Sequence, residues 1–101
     1  MAFDMFAGTI SDHIGHNEEF LFQLMEEDET RYPQLMALWE SFYDSPRLSS
    51  AQAGLLVHEL IDLLCVHGGA TNKPLAACVI RLLGFFSQAH RKGLEIRCVS
   101  D

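Results

Sequence analysis

Basic residues are scarce in this sequence of 101 residues. It has 7 lysines and arginines against 14 aspartates and glutamates, which gives a formal net charge of −7. Nucleic-acid backbones and anionic lipid surfaces both attract lysine and arginine. The charge therefore argues against nucleic acid and against a membrane surface as partners. The length predicts a single domain over residues 1–101, and the hydrophobic fraction of 49% is typical of a folded, globular chain.

Long apolar runs and paired cysteines are also missing. No uncharged stretch approaches the about 20 residues that cross a bilayer, and the first residues lack the lysine or arginine of a secretory signal. The three cysteines are Cys65, Cys78 and Cys98, and no two of them form a CxxC pair. An odd number at wide spacing argues against a disulfide framework or a thiolate zinc site. We therefore expect a cytoplasmic protein with reduced thiols.

Motifs for catalysis and for cofactor binding are absent as well. The chain has no GxSxG elbow and no GxGxxG loop, and Gly68-Gly69 is not followed by the lysine spacing of a phosphate loop. Cys78 lies in the apolar sequence AACVI, a setting that does not activate a thiolate. The sequence therefore predicts a protein with no catalytic residue, no cofactor and no metal, which is not an enzyme.

Four helices are predicted from apolar side chains that recur at three- and four-residue spacing, over residues 17–28, 33–43, 51–66 and 72–92. Each begins at a residue that favours a helix start, such as Asn17, Pro33, Ser49 or Asn72. The third helix is apolar over most of its circumference, which predicts a central position among the helices.

One short strand is predicted after the last helix, because residues 94–99 alternate apolar and polar side chains. A lone strand leaves backbone groups unpaired, and residues 1–10 are the candidate partner, although Phe3, Met5 and Phe6 fit a strand and a helix equally well. The predicted fold is mainly α: a four-helix bundle-like single domain with a short C-terminal strand, whose pairing with the N-terminal segment stays open.

The third helix carries a polar stripe that invites comparison with the HExxH zinc motif. His58 and Glu59 match the first two positions, and Asp62 takes the place of the second histidine. Aspartate can bind zinc, so a small enzyme or a metal-binding protein built on this stripe is an alternative. The next histidine, His67, is nine residues further along, about 13 Å along a helix axis, and is too distant to share one ion.

Negative charge is concentrated in the first half of the chain. Residues 1–45 hold ten of the 14 acidic residues and one basic residue, Arg31. The densest run of acidic residues, 26–29, is predicted to lie at the C-terminal end of the first helix, where acidic side chains oppose the helix dipole. Arg31 can pair with Glu27 four residues before it, a weak contact that fits the alternative of an acidic run that is only solvated. Acidic side chains at this end of a helix cost stability without a visible compensation, and such an exception indicates a functional position. The candidate partner-binding residues are Asp12, Glu18, Glu19, Glu26, Glu27, Asp28 and Glu29.

Four stretches along the chain resemble small, mostly helical bacterial proteins of the toxin-immunity kind. They are GTISDH at 8–13, RYPQL at 31–35, LLVHEL at 55–60 and GLEIRCVSD at 93–101. The resemblance implies a protein that binds and neutralises a toxin, and a basic toxin domain would be complementary to the acidic half of this chain. We therefore expect a cytoplasmic immunity protein that binds a basic protein partner, and a structural homodimer paired through the C-terminal strand is a further alternative.

Overall fold

The N-terminal segment forms a β-hairpin. In the computed structural model, which describes residues 2–100 but not the side chains of Ala2 and Glu29, strand β1 spans Ala2–Ala7 and strand β2 spans Ile10–Gly15. Gly8 adopts a φ of 60° in the turn between them, a left-handed conformation that glycine reaches without steric cost. The hairpin resolves the open choice between strand and helix for this segment.

Four α-helices follow the hairpin: α1 at Phe20–Met25, α2 at Pro33–Glu40, α3 at Ser50–Val66 and α4 at Lys73–Arg91. Short 3₁₀ segments lie at His16–Glu18, Glu26–Arg31 and Gly69–Thr71. None of the helices that the structure describes combines the length and the apolar character that crossing a bilayer requires.

Two further strands complete a four-stranded antiparallel sheet. Strand β3 is Arg47–Leu48, strand β4 is Ile96–Ser100, and the order across the sheet is β2-β1-β4-β3. Beyond β3, the Cys98 N–H donates to the Pro46 carbonyl at 3.1 Å. The C-terminal strand β4 therefore has partners on both sides within the chain, β1 on one and residues 46–48 on the other.

The prediction of a helical bundle with one strand is wrong, since the chain folds as a mixed α and β domain. The missed strand β2 explains the error. Its inward positions are Ile10, Asp12 and Ile14, which lie opposite Ala7, Met5 and Phe3 of β1. An aspartate at the middle inward position breaks the apolar alternation that predicts a strand.

The helices cover one face of the sheet, and the core lies between the two layers. Phe3 and Met5 of β1 and Cys98 of β4 are buried, whereas Phe6 and Val99, at alternate positions of these strands, are exposed. One pair of stacked aromatic rings joins the two layers, since the centroids of Phe3 of β1 and Phe42, just after α2, are 4.4 Å apart. A second stacked pair, Phe22 and Trp39 at 4.7 Å, joins α1 to α2.

Candidate functional site

Three of the predicted partner-binding residues, Asp12, Glu18 and Glu19, contact basic side chains within the chain. The Arg81 guanidinium of α4 lies 3.2 Å from Asp12 Oδ1 and 2.8 Å from Glu18 Oε2, and its Nη2 also donates to the His13 carbonyl. Nε of Arg81 is buried and lacks hydrogen-bond geometry toward Asp12, so that contact is an ion pair alone. Glu19 contacts the exposed ring of His16 at 3.2 Å. Asp12 and Glu18 therefore hold β2 and the 3₁₀ segment before α1 against α4.

The surroundings of Glu18 favour its charged form. Burial raises the pKa of the Glu18 carboxyl, but hydrogen bonds from the Gly15 N–H and from Arg81 outweigh that effect and hold the pKa below its usual value. Burial together with the Glu18 carboxylate raises the pKa of the neighbouring Cys78 thiol to about 12. Burial alone raises the pKa of Cys98 to about 12. These two thiols are protonated and unreactive at neutral pH, whereas Cys65 is exposed on α3.

The same network covers part of the β2 edge of the sheet. Strand β2 is an edge strand, and such strands expose backbone groups that can pair with another chain. At His13 the outward N–H donates to Asp12 Oδ1 at 2.7 Å, and the carbonyl accepts from Arg81 at 2.8 Å. The Gly15 N–H donates to Glu18 Oε1 at 3.0 Å. Side chains thus occupy much of the edge that a second strand would need.

The polar stripe of α3 joins that helix to α2. Glu59 accepts hydrogen bonds from the Gln34 and Leu35 N–H groups at 3.0 and 2.9 Å, so it caps the N-terminus of α2. The Asp62 carboxylate forms an ion pair with Arg31 and accepts two hydrogen bonds from it, one from Nε and one from Nη2 at 2.9 Å. The sequence suggested that Arg31 pairs with Glu27. In the structure Arg31 pairs with Asp62 instead. His58 stays exposed, and the structure groups no three potential metal ligands within the part of the chain that it describes.

Replacing Glu59 with glutamine is expected to lower the free energy of unfolding by about 0.5–2 kcal/mol, because the amide offers one acceptor oxygen to two N–H groups at a helix start. Urea unfolding measures the change. Glu95→Gln is the matched control, since Glu95 pairs with Arg47 on the exposed surface and a surface pair contributes about 0–1 kcal/mol. An equal effect of the two changes would contradict the capping role of Glu59.

The remaining predicted acidic residues lie in one exposed segment. Helix α1 ends at Met25, so Glu26, Glu27 and Asp28 belong to the 3₁₀ segment that follows, with non-helical backbone at Asp28. All three are exposed, and no ion pair to them occurs among the described residues. The Glu29 side chain lies outside the described residues. We call Glu26, Glu27 and Asp28 the acidic segment.

Exposed apolar side chains on α3 and α4 were missed from the sequence. Leu55, Ile61 and Val66 on α3 are 49%, 44% and 48% exposed, and Ile80 on α4 is 63% exposed. We call these four side chains, with the exposed Cys65, the apolar face. The sequence showed that α3 is apolar on nearly every side, but this pattern was interpreted as a central helix. In a domain this small, the second apolar side of α3 instead meets solvent.

A groove of about 360 Å³ lies between α3 and α4, beside Leu55 of the apolar face. Ala51, Gly54, Leu55, Val57 and His58 of α3 and Ser87 and His90 of α4 line it. His90 lies directly over Gly54, where an added Cβ atom would be 2.6 Å from Nδ1 of the ring. Glycine at position 54 therefore allows the two helices to meet in this arrangement.

Comparison of the chain with protein-family models, with curated proteins and with solved structures gave no significant match.

Proposed function

We propose that this domain is a non-catalytic protein-binding module that binds a basic protein through the apolar face and the acidic segment together. The observation that carries the proposal is the apolar face: four large apolar side chains stand exposed on α3 and α4. Where exposed apolar side chains adjoin one another, they mark interaction sites. A metal site on the α3 stripe gains no support, because Glu59 and Asp62 already accept hydrogen bonds from α2 and Arg31.

The 3₁₀ segment that contains the acidic segment is joined to α3, the helix that carries three of the exposed apolar side chains. Arg31 ends the 3₁₀ segment that contains Glu26, Glu27 and Asp28, and its ion pair with Asp62 fastens that segment to the exposed side of α3. Protein interfaces commonly have an apolar centre with a polar rim. Unpaired carboxylates at the rim favour a partner with basic residues, because opposite charges accelerate and orient association.

The partner that best fits these features is a basic toxin domain, and the module would then be its immunity protein. The support is the resemblance in four short stretches, the formal net charge of −7 and the exposed position of the acidic segment. Blocking such a partner requires no chemistry from this chain, only a complementary surface. Identifying the partner is thus the experiment that tests this proposal most directly.

The test uses the immobilised domain to capture a partner at low salt, followed by association kinetics with the purified partner. We expect Glu26→Lys with Glu27→Lys to slow association by about tenfold or more at low salt, because steering raises on-rates by about 10–10³. The matched control is Glu40→Lys with Asp44→Lys, which changes the net charge equally at two other exposed positions. Raising the salt should remove the difference, since charges are screened over about 8 Å at physiological ionic strength.

A second pair of variants tests the apolar face. Ile61→Ser should speed dissociation of the complex, while Tyr43→Ser, at an exposed aromatic residue outside the apolar face, should leave it unchanged. Alkylation of Cys65 provides a direct footprint, because Cys65 is the exposed thiol and Cys78 and Cys98 are buried. A partner that binds all four variants equally well and leaves Cys65 fully reactive would overturn the proposal.

A further inference from the structure

The face of the sheet that the helices leave uncovered carries four side chains at neighbouring positions. Along β1 and β4 the side chains alternate between the core and this open face, so Asp4, Phe6, Arg97 and Val99 lie on the side away from the helices. In the register of the two strands, Asp4 lies opposite Val99 and Phe6 lies opposite Arg97. The four side chains therefore form a square patch on adjacent strands, which we call the open block.

Two opposite charges stand in the open block without forming an ion pair. Arg97 lies over the Phe6 ring, with its Cζ atom 4.9 Å from the ring centroid, and no ion pair to Arg97 or Asp4 occurs among the described residues. Arg97 also lies directly opposite Arg47 of β3, and like charges in that position are destabilising. Glu95 contacts Arg47 at 2.8 Å, whereas no described carboxylate contacts Arg97. A guanidinium stacked on a ring still has N–H groups at its edge for a carboxylate.

The other two members of the open block are apolar and partly exposed. Phe6 is 37% exposed and Val99 is 38% exposed. They occupy diagonal positions on neighbouring strands, which lie about 7–8 Å apart and within reach of each other for large side chains. An apolar centre with charged neighbours is the usual composition of a protein interface.

The charge balance of this face favours a second copy of the chain as the occupant. Arg47 and Arg97 are matched in number by Asp4 and Glu95, although the formal net charge of the whole chain is −7. A balanced face attracts neither a polyanion, such as nucleic acid or an anionic membrane, nor a strongly basic protein. It is complementary to itself if each charge meets the opposite one in the other copy.

We propose that two copies of this chain associate face to face through the open block, about a twofold axis that runs along the Phe6–Val99 diagonal. This axis exchanges the positions of Asp4 and Arg97, so each carboxylate meets the guanidinium of the other copy. Phe6 and Val99 each pack against their own counterparts. A strand spacing of about 4.8 Å and a two-residue repeat of about 6.8 Å set the diagonal at about 35° to the strands, so the strands of the two copies cross at about 70°, near the orthogonal class of sheet packing.

The proposal is independent of the proposed function, because the apolar face lies on α3 and α4 and the open block lies on the uncovered side of the sheet. It also differs from pairing through the C-terminal strand, since β4 already has partners on both sides within the chain. Four strands give a face only about 20 Å wide, which is small for a protein interface. We therefore expect a weak dimer, with a dissociation constant of about 0.1 mM.

The experiment is sedimentation equilibrium of the purified protein at concentrations from about 10 μM to about 1 mM, which bracket the expected dissociation constant. Asp4→Arg and Arg97→Asp should each weaken self-association at least tenfold, because like charges then meet across the axis. An equimolar mixture of these two variants should associate as the natural protein does, since every arginine again meets an aspartate. The matched controls are Glu40→Arg and Arg91→Asp, which change the charge equally at exposed positions on α2 and α4 and should leave self-association unchanged.

A natural protein that stays monomeric up to about 1 mM would overturn the proposal. So would a dimer that survives both single changes, or a mixture of the two variants that does not associate. Ile61→Ser should leave the dimer intact, and a dimer lost in this variant but kept in Arg97→Asp would assign the contact to the apolar face instead. If either charge variant does not fold, Val99→Lys takes its place and should weaken self-association at least tenfold. A failed capture of a basic partner would count against the proposed function and leave these results standing.

Discussion

Replacing Leu60 with alanine is expected to lower the free energy of unfolding by about 2–5 kcal/mol, because a cavity remains where a buried leucine is truncated. Leu60 lies near the middle of α3 and is fully buried. It occupies the side of the helix that faces the core, opposite the apolar face. Against a total stability of about 5–15 kcal/mol for a typical domain, this loss is large.

The matched control is Leu55→Ala on the same helix. Leu55 is 49% exposed, so its truncation should change the free energy of unfolding by about 0.5 kcal/mol or less. Urea unfolding of both variants measures the two effects. Similar losses for Leu55 and Leu60 would mean that α3 does not have a buried side and an exposed side. The assignment of Leu55 to an exposed apolar face would then be wrong.

Local signals in the sequence were sufficient for α3 and α4. Ser49 begins α3 with a hydrogen bond from the Gln52 N–H, Asn72 begins α4 with one from the Leu75 N–H, and Gly68 adopts a φ of 109° between the two helices. Each of these signals acts over a few residues, so a single sequence reveals it. The predicted bounds, 51–66 and 72–92, accordingly lie within one residue of the observed ones.

Long-range contacts account for what could not be predicted. Strand β2 depends on Asp12 at an inward position, and Asp12 is stabilised there by Arg81, far along the chain. The first helix was predicted to reach Asp28, but α1 ends at Met25 and Asp28 takes a φ of −149°. The 3₁₀ segment containing Asp28 is instead held by the ion pair of Arg31 with Asp62. No local pattern marks either pairing.

The candidate site likewise combines features that local sequence predicts with features that depend on long-range contacts. Exposure of Glu26, Glu27 and Asp28 follows from a dense run of charge, which is a local signal. The internal roles of Asp12, Glu18 and Glu19 could not be read from residue type, because a carboxylate that holds the fold together and one that faces a partner have the same sequence signature. Arg81 distinguishes the first two of these, and only the folded chain brings it to them.

Replacing Arg81 with methionine is expected to lower the free energy of unfolding by about 1–2 kcal/mol at pH 7. The loss is smaller than for a fully buried ion pair, because the Arg81 side chain is 36% exposed and solvent screens its charge. Methionine keeps most of the apolar stem of arginine but removes the charge. Asp12 and Glu18 then face each other without a cation, and the His13 carbonyl loses its donor. Arg91→Met, on the exposed last turn of the same helix, is the matched control and should cost less.

The dependence on pH identifies the cause of the loss. Because the folded chain holds the pKa of Glu18 below its ordinary value of 4.5, the stability that this carboxylate contributes is complete above that pH. It is lost as the pH falls through the folded pKa. The difference between the natural protein and Arg81→Met should therefore be largest near neutral pH and shrink below pH 4.5. Urea unfolding between pH 3 and pH 7 measures both curves. A difference that stays constant over this range would show that Arg81 acts through packing alone, and the ion-pair role of Glu18 would be wrong.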